Sequence, residues 1–221
     1  MILEVKDLLQ PSAVTRLREC AALSNFVDGR ATNPGFDQKS NLQGDPSSAI
    51  GEEVSRTVLA AFRSSRQFSD FVIPKTIAPP ILARYDPAMK YGPHADSALI
   101  ATPTGVLRSD VSCTVFLSEP NSYEGGELVL HFGARSVGIK LPAGAAVLYP
   151  STTLHEVAPV RAGQRLVVIT FIESHVANET DREMLFELGE VSALEGDKMH
   201  WASRMRLEVV RQNLTRRWSA S

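Results

Sequence analysis

Hydrophobic and polar positions along the chain change their spacing twice, which divides it into three zones. In residues 1–75, apolar side chains recur every three or four positions, the spacing of a helix that buries one face. This spacing predicts helices over 11–23 and 48–64. The first helix opens on Pro11, and proline suits a first helical turn. We expect both helices to serve as scaffold.

The middle zone, residues 76–173, alternates short apolar runs with glycine and proline. Many short strands separated by turn residues predict a sandwich or barrel, and not a sheet whose strands alternate with helices. The zone contains no glycine-rich nucleotide loop, so a nucleotide-binding fold has no support. The strands are predicted at 81–85, 111–117, 127–132, 136–141, 145–149 and 165–172.

The last zone, residues 174–221, returns to helical spacing. Asn178 or Thr180 is a candidate cap for one helix, and a second helix is predicted over 201–218. The apolar stripe of the second helix suits either the core or a second copy of the chain, so an oligomer stays open. The zones together predict a mainly β (α+β) fold with flanking helices, with one domain over 1–173 and a C-terminal helical extension. The stripe consists of Trp201, Met205, Val209, Leu214 and Trp218.

Composition and charge limit the partners and the compartment. The chain has 221 residues, 43% of them hydrophobic and 22% charged, so it can bury a sizeable core without disulfides or structural metals. A formal net charge of −2 gives no basic excess for nucleic acid. Cys20 and Cys113 are far apart and form no CxxC pair, which favours a reducing cytoplasm. With no signal-like start and no long apolar run, we expect a cytoplasmic protein without a membrane partner.

Two histidines and one aspartate stand in positions that suit a metal ion. His94 and Asp96 are two residues apart in an extended segment, so both project from the same face. His155 lies far along the chain, at the start of another strand. Two imidazoles and one carboxylate on one face of an octahedral ion leave three positions open, as in non-haem iron(II) oxygenases. The remaining histidines follow no ligand spacing and are expected to be structural: His131, His175 and His200.

Arg165 is a candidate ligand for an anion beside that metal. Residues 155–165 read as a strand, a turn and a returning strand, so a hairpin is predicted to bring Arg165 beside the strand of His155. A guanidinium can hold the far carboxylate of a dicarboxylic acid through two hydrogen bonds. The apolar run after Arg165 predicts a buried strand, where an arginine needs an anionic partner. The alternative is a salt bridge to Glu156 or Glu173.

Two segments resemble the signatures of a known family. Residues 84–96 resemble the RYxxGxxYxxHxD signature of prolyl 4-hydroxylase-like oxygenases, except that Ala88 replaces its glycine. Residues 123–128, YEGGEL, resemble the YxGGEL turn and strand of the same family. Arg165, where animal prolyl 4-hydroxylases have lysine, and the tail at 213–218 resemble the bacterial PKHD-type hydroxylases. The resemblance covers nearly the whole chain.

This resemblance implies a double-stranded β-helix (jelly-roll) core that uses iron(II), 2-oxoglutarate and dioxygen, with L-ascorbate as a candidate reductant. By motif position, His94, Asp96 and His155 would hold the iron, and Arg165 and Tyr85 would bind 2-oxoglutarate. The implied activity is hydroxylation of an unactivated C–H bond. Its substrate would be an amino-acid side chain, prolyl among them, or a small metabolite.

Two other functions remain open on the residues alone. A jelly roll can bind a small molecule or sense iron without turnover. Two histidines, an aspartate and water also make a catalytic zinc site, although no HExxH frame supplies a general base here. In the leading hypothesis, 1–173 is the dioxygenase domain, and loops 29–44 and 99–110 select a peptide or small-molecule substrate.

Overall fold

A computed structural model describes residues 1–32 and 35–219 of the chain. These residues contain five α-helices, seventeen β-strands and two short 3-10 helices. The α-helices are α1 (Pro11–Leu23), α2 (Ala49–Ser64), α3 (Arg66–Val72), α4 (Glu179–Glu195) and α5 (Trp201–Trp218). The strands are β1 (Leu3–Val5), β2 (Phe26–Asp28), β3 (Lys39–Ser40), β4 (Leu42–Gly44), β5 (Pro74–Ile77), β6 (Ile81–Tyr85), β7 (Lys90–His94), β8 (Leu99–Thr102), β9 (Gly105–Arg108), β10 (Val111–Phe116), β11 (Tyr123–Gly125), β12 (Leu128–Phe132), β13 (Arg135–Ile139), β14 (Ala146–Pro150), β15 (His155–Val157), β16 (Val160–Gly163) and β17 (Arg165–Ser174). The 3-10 helices are Gly29–Thr32 and Pro120–Ser122.

Two antiparallel sheets face each other at the centre of the molecule. The larger sheet has the order β1-β14-β10-β17-β6-β4-β2, with β5 also paired to β17, and the smaller has the order β13-β12-β15-β7-β3. Their facing sides bury one apolar cluster, to which the larger sheet contributes Phe116 and Val167. The smaller sheet contributes Leu128, Leu130 and Val157. This double sheet with flanking helices confirms the predicted mainly β fold.

The central strands of the larger sheet are apolar on both faces because both faces are covered. All six residues of β10 are buried. Along β17, Val167 belongs to the cluster between the sheets and Val168 to the cluster under the helices. Such strands appear in a sequence as continuous apolar runs. All six predicted strands are observed, with ends that lie within two residues of the prediction.

Helices cover the outer face of the larger sheet. The spans of α1 and α2 confirm the prediction, and Ser48 caps α2 by accepting a hydrogen bond of 3.0 Å from the N–H of Gly51. Phe71 of α3 meets Phe186 of α4 edge-on, with ring centres 5.3 Å apart. The segment after residue 173 therefore contributes to the same core as the helices before it.

The two C-terminal helices agree with the prediction in part. Asn178, and not Thr180, caps α4 by accepting a hydrogen bond of 3.0 Å from the N–H of Asp181. The last helix has the predicted span, but none of its residues is buried, and Trp201 is 72% exposed. The apolar stripe of α5 is therefore not part of the core. Among the helices described, none combines the length and the apolar character needed to cross a membrane.

Candidate active site

The three metal-type side chains predicted from the sequence lie together between the sheets. His94 ends β7, Asp96 follows two residues later, and His155 begins β15, which pairs with β7. One donor atom from each lies within 4.8 Å of the others. The carboxylate oxygens of Asp96 are 3.8 Å from Nε2 of His94 and 3.7 Å from Nε2 of His155. Strand pairing thus joins residues that are far apart in the sequence.

Backbone hydrogen bonds fix the orientation of both imidazole rings. Nδ1 of His94 donates to the carbonyl of Gly92 at 2.8 Å, and Nδ1 of His155 donates to the carbonyl of Thr153 at 2.9 Å. Because a carbonyl can only accept, Nδ1 carries the proton in each neutral ring and Nε2 keeps its lone pair. Tyr91 stacks on the His94 ring with centres 3.6 Å apart. Both Nε2 atoms are therefore available to a metal ion.

Three serines connect to the carboxylate of Asp96. Ser112 donates a hydrogen bond of 2.5 Å to Asp96, and its oxygen lies 2.7 Å from that of Ser151, which accepts a hydrogen bond of 2.8 Å from Ser109. If each hydroxyl donates in one direction, from Ser109 through Ser151 and Ser112 to the carboxylate, all three serine hydroxyls have an acceptor. The sequence carried no signal for this network, because its members share no spacing and meet only in the fold.

Burial sets the protonation of the cluster. It lowers the pKa of His94 to about 4, so this imidazole is neutral at physiological pH. Burial also raises the pKa of Asp96, against the opposing effects of His155 and Ser112. A divalent cation reverses this tendency because it favours the ionised carboxylate. Two imidazole nitrogens and a carboxylate oxygen form a donor set that fits iron(II).

Arg165 reaches the same cavity from the opposite sheet. The predicted pairing of its strand with that of His155 is wrong, since Arg165 begins β17 and lies opposite Tyr85 of β6. The reason is that β16 pairs with β11 and not with β15, so the returning strand joins the larger sheet. The guanidinium carbon is 5.0 Å from the centre of the Tyr85 ring and 5.8 Å from that of Phe116. The metal-type cluster and Arg165 thus belong to different sheets.

The guanidinium of Arg165 has no acidic partner among the described residues. Arg165 is 2% exposed, and its Nε has no hydrogen-bond acceptor there. The two acids considered as partners pair elsewhere, since Glu156 lies 3.4 Å from His131 and Glu173 lies 3.3 Å from Lys75. The salt-bridge alternative is therefore wrong for these acids. A buried cation in this state calls for an anionic ligand.

The glycine pair of the YEGGEL segment makes room for Arg165. Gly125 and Gly126 have φ of 71° and 66°, which glycine adopts without strain. A Cβ on Gly126 would lie 3.2 Å from Cδ of Arg165, and one on Gly125 would lie 2.1 Å from the carbonyl oxygen of Pro159. Gly125 ends β11, and this left-handed backbone allows the chain to pass close to the guanidinium.

Tyr85 lies beside the guanidinium and is buried. Burial raises the pKa of Tyr85 to about 12, against the opposing effect of Arg165, so the phenol is neutral at physiological pH. Its ring can stabilise the cation through its π face, and its hydroxyl remains a possible hydrogen-bond donor. Tyr85 therefore lies beside Arg165 in the same cavity, and its binding role stays a prediction.

A cavity of about 360 Å³ connects the metal-type cluster with Arg165. This volume lies within the range of small-molecule sites. Residues of both predicted loops line it, at 39–43 and at 99–101, while residues 33 and 34 of the first loop lie outside the described chain. Lys39 and Tyr149 also line the cavity and were missed, because an isolated lysine or tyrosine carries no spacing signal.

The other three histidines lie outside the lining of this cavity. His131 faces Glu156, as given above, and Nδ1 of His200 accepts a hydrogen bond of 3.3 Å from the N–H of Ala202 at the start of α5. The backbone N–H of His175 donates to the carbonyl of Ile73 at 2.9 Å. These positions agree with the structural roles predicted for them.

Solved structures share this fold. A prolyl hydroxylase from Trichoplax adhaerens, in complex with a hypoxia inducible factor peptide fragment, aligns with a TM-score of 0.62 and 17% identity over 83% of this chain and 86% of that chain. A prolyl-4-hydroxylase from Pseudomonas putida aligns with a TM-score of 0.55 and 18% identity over 78% of this chain and 92% of that chain. At such identities the likeness concerns the fold alone, and it confirms the predicted jelly-roll core.

Sequence comparison then defines the class. The model of the 2OG-Fe(II) oxygenase superfamily matches residues 80–173. A PKHD-type hydroxylase from Sphingopyxis alaskensis is 46% identical over 212 residues, 96% of this chain and 97% of that protein. One from Xanthomonas campestris pv. campestris is 37% identical over 229 residues, 99% of each. The chain therefore is an iron(II)- and 2-oxoglutarate-dependent dioxygenase and belongs to the PKHD-type hydroxylases. This removes the zinc hydrolase and the non-catalytic module as alternatives.

Proposed function

We propose that this enzyme hydroxylates an unactivated C–H bond of an amino-acid side chain, prolyl among them, or of a small metabolite. In this proposal His94, Asp96 and His155 hold the iron, while Arg165 and Tyr85 hold 2-oxoglutarate. The observation that carries it is the buried guanidinium of Arg165, which has no described acid beside it and shares one cavity with the three metal-type donors.

When bound, iron(II) supplies the reduction of dioxygen, coupled to oxidative decarboxylation of 2-oxoglutarate to succinate and carbon dioxide, with the second oxygen atom going to the substrate. The protein supplies the geometry. The two imidazoles donate through Nε2 because Nδ1 is held by the backbone, and Asp96 is kept in place by Ser112. His94, Asp96 and His155 would therefore hold the metal through three donor atoms.

Arg165 and its surroundings position the co-substrate. The guanidinium orients the far carboxylate of 2-oxoglutarate, and the neutral Tyr85 offers a hydroxyl beside it. Apolar walls that include Leu128 and Val157 keep water away, so the charge-assisted hydrogen bonds are stronger than at an exposed site. The oxo-acid end can then face the metal-type cluster.

The remaining expectations form part of the same proposal. Residues 1–173 carry catalysis, and L-ascorbate serves as a reductant for the iron. The prolyl hydroxylase from Trichoplax adhaerens was solved with a peptide fragment, which supports a peptide as one substrate option. A cytoplasmic compartment follows from the cysteine usage, and a second copy of the chain is a candidate partner for the exposed stripe of α5.

A succinate-release assay with iron(II), 2-oxoglutarate and oxygen tests this proposal. His155→Ala should lower succinate formation by more than about 100-fold, because even the loss of a group that only orients a ligand costs about 10–100-fold. His131→Ala, outside the cavity, is the matched control and should retain activity. An active, iron-loaded His155→Ala enzyme would contradict the assignment of the metal ligands.

The same assay separates metal binding from co-substrate binding. Arg165→Met should weaken the binding of 2-oxoglutarate by about 30-fold, or about 2 kcal/mol, because charge-assisted hydrogen bonds are lost. The affinity for iron should be retained. Arg161→Met, at an exposed position on β16, is its control. Equal losses of iron and 2-oxoglutarate affinity would mean that Arg165 is structural. Product identity is then read as a mass gain of one oxygen on peptide and metabolite libraries.

A further inference from the structure

Three buried serines lead from the carboxylate of Asp96 to the base of the β8–β9 hairpin. Ser112 and Ser151 are each 2% exposed, and Ser109 is 7% exposed. Ser112 donates to Oδ2 of Asp96 at 2.5 Å, and the serine oxygens then follow one another at 2.7 and 2.8 Å. Ser109 follows β9, Ser112 lies on β10 and Ser151 follows β14. These three residues form one continuous path, the serine path, from the hairpin to the metal-type cluster.

The direction of donation along the serine path is set by Asp96. A carboxylate that binds a metal ion can only accept hydrogen bonds, so the single proton of Ser112 points to Asp96. Ser151 must then donate to Ser112, and Ser109 donates to Ser151. Hydrogen bonds in series toward a charged group polarise one another and become stronger. The hydroxyl of Ser109 is therefore sensitive to the state of a carboxylate that lies two hydroxyls away.

Asp96 and Ser109 also bracket the β8–β9 hairpin along the chain. Asp96 precedes β8, and Ser109 directly follows β9. The N–H of Ser109 donates to the carbonyl of Ala98 at 2.8 Å, and this bond closes the hairpin at its base. The N–H of Asp96 donates to the carbonyl of Ser151 at 3.3 Å. Both ends of the hairpin are thus connected to the serine path.

The hairpin depends on such bonds because much of its apolar surface is exposed. Leu99 is 65% and Val106 is 68% exposed, whereas Leu107 is 1% exposed. Segments that bury little apolar surface open locally at a low cost in free energy. Residues 99–101 line the cavity, so the order of the hairpin decides the shape of that wall.

We propose that the three residues of the serine path are positioning residues that join Asp96 to the β8–β9 hairpin, so that an occupied metal site orders the cavity wall at residues 99–101. This inference rests on the proposed function, which makes Asp96 a metal ligand, and adds a form of regulation at the same site. With a metal bound, the carboxylate is fixed and orients Ser112 and Ser151, and Ser109 holds the base of the hairpin. The substrate wall is then complete only when the metal is loaded.

The affinity of serine variants for iron(II), measured without oxygen, tests the connection to Asp96. Ser112→Ala should weaken iron binding by about 10- to 100-fold, because it removes the direct partner of the ligand. Ser109→Ala should weaken it by about two- to tenfold, the effect of one neutral hydrogen bond. Ser109→Thr restores a hydroxyl and should return the affinity to within about twofold of the wild type. Ser69→Ala, which removes a serine hydrogen bond on α3, is the matched control and should leave it unchanged.

Amide exchange over residues 99–108 tests the connection to the hairpin. In the wild type, saturating iron(II) should slow this exchange by about fivefold or more, because opening must break the hydrogen bond of Ser109. In Ser109→Ala, iron should change the exchange by less than about twofold, since the path no longer reaches the hairpin. Ser69→Ala should respond as the wild type does. Each variant is saturated with iron at its own affinity, so weak binding does not imitate the expected loss.

Each outcome decides the matter. A wild-type enzyme that binds iron with no slowing of exchange, or a Ser109→Ala enzyme that keeps the full slowing, overturns the inference. A purely structural role of Ser109 would speed exchange equally with and without iron, and this result also overturns it. If Ser112→Ala does not fold, the two Ser109 variants still give the decision. Failure of the proposed function is seen separately, since a wild-type enzyme that binds no iron fails whatever the hairpin does.

Discussion

Ala88 holds a backbone conformation that disfavours a side chain. It has φ of 71° in the turn between β6 and β7, where the family signature has glycine. The N–H of Ala88 donates to the carbonyl of Val160 at 2.8 Å, and the N–H of Val160 donates to the carbonyl of Met89 at 3.0 Å. These bonds hold the turn in a left-handed conformation that costs a residue with a Cβ about 1–2 kcal/mol.

Replacing Ala88 with glycine should stabilise the protein. Relief of the strain exceeds the extra freedom of the unfolded chain, so we expect the free energy of unfolding to rise by about 0.5–1 kcal/mol. Denaturant unfolding measures the change. Ala60→Gly, at an exposed position inside α2, is the matched control and should lower it by about 1 kcal/mol. An equal decrease in the free energy of unfolding in both variants would show that the turn is not strained.

The sequence indicated individual residues where their spacing was local. His94 and Asp96 are two residues apart, and the glycine of the signature marked the turn at Ala88. Lys39 and Ser112 could not be found in this way, because each is one polar residue in a segment with no periodicity. Their contacts arise when separate strands meet, which a single sequence does not display.

The β8–β9 hairpin lies beside the cavity, which residues 99–101 line. Leu99 and Val106 on it are exposed, whereas Leu107 is buried. At its base, Arg108 donates hydrogen bonds of 2.7 and 2.9 Å to Asp110, whose carboxylate also accepts the N–H of Ser174 at 2.8 Å. These hydrogen bonds connect the hairpin to the end of β17, and they limit how far the hairpin can open.

Removing the hydrogen bonds of Arg108 should make local opening of the hairpin easier. Arg108→Met removes the two hydrogen bonds to Asp110 and a third, of 3.2 Å, to the carbonyl of Ser174. At this partly exposed site the loss should lower the local opening free energy by about 1 kcal/mol. Amide exchange over 99–108 should then be about fivefold faster, since exchange follows local opening. Arg66→Met, which removes an exposed ion pair on α3, is the control and should leave this segment unchanged. Unchanged exchange after Arg108→Met would mean that other contacts hold the hairpin.

At the scale of elements, the length of a strand or helix and the burial of its faces decided whether it could be predicted. The strands buried on both faces and the amphipathic helices stood out because many consecutive residues repeat one pattern. The short strands β3 and β4 have two or three residues each, which is too short for any period to be detected. The pairing of β17 was mispredicted because hydrogen-bond partners of β16 come from β11, which lies far back in the sequence.

The C-terminal helices connect to the rest of the molecule mainly through α4. Phe186 is 7% exposed and meets Phe71 of α3. Arg182 is buried beside it and donates hydrogen bonds of 2.7 and 2.8 Å to the carbonyls of Val176 and Ala177. The division at residue 173 remains a prediction, and these contacts indicate that the extension shares the cooperative unit of the core.

Truncating Phe186 tests that indication. Phe186→Ala should lower the free energy of unfolding by about 3–4 kcal/mol, because it opens a cavity between α3 and α4. Trp201→Ala, at an exposed site on α5, is the control and should change it by less than about 0.5 kcal/mol. Urea unfolding followed by two probes should show one coincident transition in both variants. A loss below about 1 kcal/mol in Phe186→Ala would support a separate extension.

For the whole molecule, the fold class was predictable because the alternation of short strands and turns repeats over about a hundred residues, which averages out local errors. The role of the α5 stripe was not, because an apolar helix face has the same pattern whether it meets the core or another molecule. The structure removes the core from these two options.

The placement of the metal-type cluster and Arg165 on different sheets has a mechanical consequence. If a diacid binds as proposed, the gap between the two layers sets the length that it needs to reach from the guanidinium of Arg165 to the metal-type cluster. A small sliding of one sheet over the other would misalign the co-substrate without changing any of the side chains proposed to bind it or the metal. Under the proposed assignment, apolar residues packed between the layers, such as Phe116 and Leu128, would thereby favour a diacid of one length over longer or shorter ones.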